Sequence, residues 1–101
     1  MKYERTERAR RDYARLNDQE KQHFKDAVRL MNDAFDRREH HSFPIWPRQL
    51  RIKDVEGAKG IWEMTWEWSN GRATFEYVEV GGGEVAIRWR RIGGHEIFRE
   101  P

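Results

Sequence analysis

Cysteine is absent from the 101 residues, which excludes disulfide cross-links and thiolate metal sites. Long apolar runs are missing too. The opening residues Met1-Lys2-Tyr3-Glu4-Arg5 lead directly into more charge. Neither a secretory leader nor a membrane span is expected, and a soluble, cytoplasmic protein is. Net charge is only +2, from 20 Lys/Arg against 18 Asp/Glu. Residues 1–48 hold 12 Lys/Arg and 9 Asp/Glu, and residues 49–101 hold 8 and 9. Such a balance does not favour charge-driven binding to long duplex DNA. The run Gly81-Gly82-Gly83 lacks the Lys-Ser/Thr and helix start of a phosphate loop and reads as a turn.

Charge and aromatic surface are what the chain has in quantity. Charged residues make up 38% and apolar residues 37%, an apolar share below that of ordinary globular domains. Five Trp, three Tyr and five Phe offset the shortfall, because each aromatic side chain buries about 150–250 Å². A single domain over residues 1–101 with one core is expected.

Most of the aromatic residues fall between Leu50 and Phe98, in alternation. Along Ile61–Trp68, Trp62, Met64, Trp66 and Trp68 share one side while Glu63, Thr65 and Glu67 take the other, since successive strand side chains point to opposite faces. Strands are predicted at 49–55, 61–69, 72–80 and 85–92, with turns at 56–60, 69–71 and 81–83. His95–Phe98 forms a short closing element after Gly93-Gly94, and residues 2–5 are a candidate edge strand. Trp62, Trp66 and Trp89 share parity with Met64 and Ile87 and read as core rather than as base-stacking surface. Trp68, nearest a hairpin end, is the exception.

Two helices precede the strands, over 6–16 and 17–38. Ala9, Tyr13 and Leu16 make an apolar stripe on the first, and Phe24, Ala27, Val28, Met31, Ala34 and Phe35 on the second. Asn17 and Glu20 have the spacing of a capping box. With almost no linker between them, the helices are expected to form an antiparallel hairpin, its second member on the tryptophan face. The segment 40–48 carries two prolines and reads as a crossing loop pinned by Phe43, Ile45 or Trp46. His23, His40 and His41 read as solvated. The fold class expected is α+β: an N-terminal α-helical hairpin packed on a twisted antiparallel β-sheet.

Several stretches together resemble the RelE/ParE toxin superfamily. Leu50-Arg51-Ile52-Lys53-Asp54-Val55-Glu56-Gly57 followed by Gly60-Ile61-Trp62 is similar to its Leu-x-x-Lys-x-x-x-Gly stretch and Gly-x-Trp strand. Gly71–Tyr77 resembles its Arg-containing third strand, and Val85–Gly93 with His95–Phe98 its closing strand and tail. The resemblance implies the toxin of a type II toxin–antitoxin pair, held by a cognate antitoxin protein and needing no cofactor or metal. It implies one of two activities, mRNA cleavage on the ribosome or inhibition of DNA gyrase by binding, with a non-toxic relative as a third possibility. One fold hosts both. The family often closes on Val-Tyr where this chain has Ile97-Phe98, and Phe98 cannot transfer a proton.

Metal-free RNA cleavage needs a general base for the 2′-OH, a proton for the leaving 5′ oxygen, and cations for the phosphorane. An imidazole can give or take a proton near neutral pH, and His95 stands at the end of the sheet. By position in the family, Arg72 and Arg91 (or Arg90) are the phosphate-binding candidates, with Lys53 and Arg51 from the first strand. Arg51, Lys59, Arg88 and Arg90 are candidates for holding RNA, since arginine matches phosphate oxygens with paired donors. Glu63 is a possible general base. The expectation is that these cations converge on a polar sheet face beside the imidazole. The bland alternative for each arginine is a cross-strand ion pair with Glu63, Glu67 or Glu76.

Overall fold

Thr6 and Asn17 fix where the chain turns helical. The computed structural model describes residues 1–39 and 43–101. After a short strand, β1 (Tyr3–Arg5), the Thr6 hydroxyl accepts from the Ala9 amide at 3.1 Å and opens α1 (Glu7–Arg15). Asn17 accepts from the Glu20 amide at 2.8 Å, the Glu20 carboxylate accepts from the Asn17 amide at 2.9 Å, and α2 runs Asp18–Asp36. This is the expected capping box; each cap stabilises its helix by about 1 kcal/mol. His40 and His41 lie outside the described residues.

Four further strands follow: β2 (Lys53–Asp54), β3 (Trp62–Glu67), β4 (Gly71–Val80) and β5 (Glu84–Gly93). The sheet has five strands in the order β1-β5-β4-β3-β2. The α+β class is as expected, but the sheet is mixed rather than wholly antiparallel. β1 runs parallel to β5, while the other neighbours are antiparallel. Tight turns force antiparallel neighbours, and no tight turn joins β1 to β5.

Both helices lie on one face of the sheet, α1 against β5 and α2 against β3. Phe24 joins the layers: its ring is 6.1 Å from Trp66, 5.2 Å from Trp89 and 6.0 Å from Tyr13. Met31, Met64, Phe75, Ile87 and Trp89 are buried around it. Burial of side chains this large stabilises by about 1.5–3 kcal/mol each. The predicted alternation thus places the core correctly, with Trp68 exposed at 74%.

The first predicted strand, 49–55, is much shorter than expected. Pro47 starts a 3-10 turn over Arg48–Leu50, and Arg51 is left-handed at φ 48°. An L-residue in that region cannot continue an extended strand, so pairing begins only at Lys53. The turn swings Leu50 into the core.

β5 carries an irregularity that resets its parity. Thr74 pairs with Arg91 but Phe75 pairs with Trp89, leaving Arg90 as an extra residue. Ile87 and Trp89 face the helices before the bulge and Ile92 after it.

The opposite sheet face is not simply polar. Thr65, Arg72 and Gly93 form one cross-strand row on it. The closing 3-10 segment His95–Arg99 packs there on β4 and β5. A Cβ on Gly93 would stand 3.0 Å from Ile97 Cγ2, so glycine is what lets Ile97 bury. Thr65 and Thr74 are consequently buried rather than solvated. Among the described residues, no helix is long and apolar enough to cross a membrane.

Candidate functional site at the end of the sheet

The β3–β4 turn and the end of β5 come together because glycine permits close approach. A Cβ on Gly71 would lie 2.5 Å from Glu67 Cβ and 2.7 Å from the Trp66 ring. The Trp66 indole N–H donates to the Arg72 carbonyl at 2.8 Å and locks the hairpin base. Asn70, at the turn, reaches across to the start of the closing segment. Its Oδ1 accepts from the His95 amide at 3.0 Å and lies 2.7 Å from His95 Nδ1.

That contact fixes the chemistry of the imidazole. A carboxamide oxygen only accepts, so Nδ1 carries a proton and the neutral ring has its lone pair on Nε2. His95 itself is exposed. The arrangement is an oriented ring with a free proton-transfer nitrogen, stacked edge-on 6.3 Å from Phe98.

Arg72 lies one strand away from this end, opposite Gly93. Among the described residues its guanidinium donates only to carbonyls, Glu67 O at 3.1 Å and Gly71 O at 3.0 Å, so no carboxylate there cancels its charge. Arg91 is the reverse case. Asp12 on α1 accepts from its Nε at 2.8 Å and from its Nη2 at 3.4 Å, and the Glu100 carbonyl takes Nη1 at 3.0 Å. Its guanidinium is thereby committed to holding α1 and the C-terminal residues to β5.

A cleft of about 310 Å³ opens beside these groups, with Arg15, Glu20, Glu67, Asn70, Arg91 and Glu96 among its walls. Its carboxylates outnumber its arginines. The Ser69 hydroxyl, and after it the Ser69 amide, donates to Glu67 and holds that carboxyl below its ordinary pKa.

The other sequence-predicted residues lie elsewhere. Glu76 accepts from Arg88 at 2.9 Å and from Arg90 at 3.3 Å; Arg88 also reaches Glu4 at 3.1 Å, and Arg90 the Pro101 carbonyl at 3.3 Å. These two arginines form the cross-strand pairs that were the bland alternative. Arg51, Lys53 and Lys59 are exposed, on β2 and the chain around it. Three strand spacings of about 4.8 Å separate β2 from β5. The expected convergence of all the cations on one point is therefore not found. The structure gathers His95, Arg72 and Arg91 at one end and leaves Lys53 and Lys59 apart along the β2 edge, while Arg51 stands over the Trp68 ring at 5.3 Å beside the β3–β4 turn. Glu63 sits between Lys53 and Thr74 in its row, away from His95.

Two residues of this site escaped sequence reasoning. Asn70 looked like nothing more than a turn residue, and no local pattern ties it to His95. Asp12 did leave a signal: it stands three residues after Ala9, on the apolar stripe of α1, where a charge needs a partner. No known protein family matches this chain, nor does any curated protein or solved structure.

Proposed function

We propose that the chain is a RelE-like toxin that cleaves mRNA on the ribosome without a metal, with His95 as the proton-transfer residue. The observation that carries this reading is the exposed imidazole held through Nδ1 by Asn70. In its imidazolium form His95 gives the Nε2 proton to the leaving 5′ oxygen and returns to the neutral Nδ1–H ring that Asn70 holds, while solvent takes the 2′-OH proton. Arg72, whose charge no carboxylate among the described residues cancels, stabilises the phosphorane from the neighbouring strand. Arg51, Lys53 and Lys59 contact the RNA backbone farther out. Arg88 and Arg90, answered by Glu4 and Glu76 together, contribute little to RNA affinity, and Arg91 acts by positioning. A cognate antitoxin would silence the protein by covering the end of the sheet.

The test is ribosome-programmed cleavage in vitro together with growth arrest on expression, comparing the unsubstituted chain with His95→Gln. The expected loss of cleavage is about 10²–10⁴-fold, the usual contribution of a general acid or base. Equal cleavage by both proteins would remove His95 from the mechanism.

A second reading has its own support. The cleft walls carry more carboxylates than arginines, which suits a protein partner better than a polyanion. It makes the chain a ParE-like inhibitor that binds DNA gyrase and does no chemistry. DNA-damage signalling with intact mRNA after induction would select it.

A further inference from the structure

Lys25, Val28, Arg29 and Asn32 of α2 follow the spacing that aligns side chains on one helical face. Across from them, Tyr3 and Arg5 stand opposite Ile87 and Trp89 in the β1–β5 register, hence on the helix side of the sheet. Between the two lies a cavity of about 430 Å³, floored by Phe24 and Trp89 and walled by Tyr13 and Val28. Small-molecule sites have this size and this apolar, aromatic lining.

The rim is cationic, from Arg5, Lys25 and Arg29, and among the described residues no acidic one lines the cavity. Arg29 is paired with Asp26 at 3.3 Å. Among the described residues Arg5 and Lys25 have no carboxylate partner. This contrasts with β5, where Glu76, Glu4 and Asp12 answer Arg88, Arg90 and Arg91. Unanswered cations beside an apolar hollow attract an anion, and more strongly where the walls exclude water. The ring floor suits a flat apolar body.

We propose that this cavity binds a small aromatic carboxylate, its ring against Phe24, Tyr13 and Trp89 and its carboxylate between Arg5 and Lys25. The cavity shares only Ile92 with the cleft beside His95, so this site stands or falls independently of RNA cleavage.

The probes are cinnamate and its neutral analogue cinnamamide, titrated into the nitrogen-labelled full chain and followed by amide NMR shifts. Saturable shifts at Tyr3–Arg5 and Lys25–Asn32 are expected for cinnamate, with cinnamamide at least about tenfold weaker for want of charge-assisted bonds. Arg5→Gln and Lys25→Gln, both exposed positions, should each weaken cinnamate several-fold while leaving the remaining spectrum unchanged. Val28→Trp should fill the hollow and abolish binding. Equal affinity for the two probes, shifts mapping elsewhere, or no saturation would overturn the proposal. So would binding of an acidic peptide at these residues where cinnamate fails, which would make the site a protein-docking surface instead.

Discussion

Asp12 on α1 holds two consecutive residues of β5 at once, the Arg91 side chain at 2.8 Å and the Ile92 amide at 3.0 Å. The Asp12 side chain is 9% exposed and that of Arg91 16%. Removing the carboxylate strands an enclosed guanidinium and an edge amide together. Asp12→Ala should cost about 2–4 kcal/mol, between the loss of a charged hydrogen bond and the breaking of a buried pair. Urea unfolding followed by tryptophan fluorescence measures it. A loss below about 0.5 kcal/mol, as for an ordinary surface change, would mean that solvent replaces the contact.

Asn70 and His95 give a prediction that stability alone cannot mimic. Asn70→Ala should shift the neutral imidazole away from the Nδ1–H form, read from ring nitrogen chemical shifts. Gly94→Ala should do the same, because its Cβ would stand 2.2 Å from Asn70 Nδ2. If the nuclease reading holds, both variants lose cleavage in step with the tautomer change. An unchanged ring in either variant contradicts the positioning role.

Thr74 offers a gain. Its Oγ1 is buried with no hydrogen-bond partner among the described residues. Valine has the same shape without the polar atom, so Thr74→Val should stabilise by about 1 kcal/mol. The expected signature is a higher urea midpoint at unchanged slope. A lower midpoint would show that the hydroxyl is satisfied.

Tyr77 links stability to alkaline pH. Burial raises its phenol pKa, partly opposed by the bond from the Trp46 indole at 3.0 Å. With the folded pKa above the unfolded value of about 10, the folded state keeps its proton longer. This contribution is intact below pH ~10 and is lost as pH rises through the folded pKa. Tyr77→Phe should flatten that part of the stability profile. An equally steep decline in the variant would assign it to other groups.

How much was readable beforehand depended on whether a feature was local. Asn17 and Glu20 announce α2 because a capping box needs only neighbours, and Trp62, Met64 and Trp66 announce the core because alternation is set by the strand itself. Arg51 defeats the pattern, since nothing in Leu50–Ile52 reveals a left-handed residue. The bulge at Arg90 was visible in hindsight: Ile87 and Trp89 are two apart and Trp89 and Ile92 three apart, and only an extra residue keeps all three inward. Partners far apart in sequence stayed hidden. Thr65 was placed on the polar side because the segment that covers it, His95–Arg99, lies far downstream, and Glu76 was only one of three carboxylates weighed as an arginine partner.

β5 is an interior strand, with β1 on one side and β4 on the other. Until residues 84–93 emerge from the ribosome, β1 has no partner and α1 has no floor to rest on. A contact map this dependent on distant segments predicts slow, all-or-none assembly. Any activity housed beside His95 is therefore withheld from the nascent chain until β5 is in place.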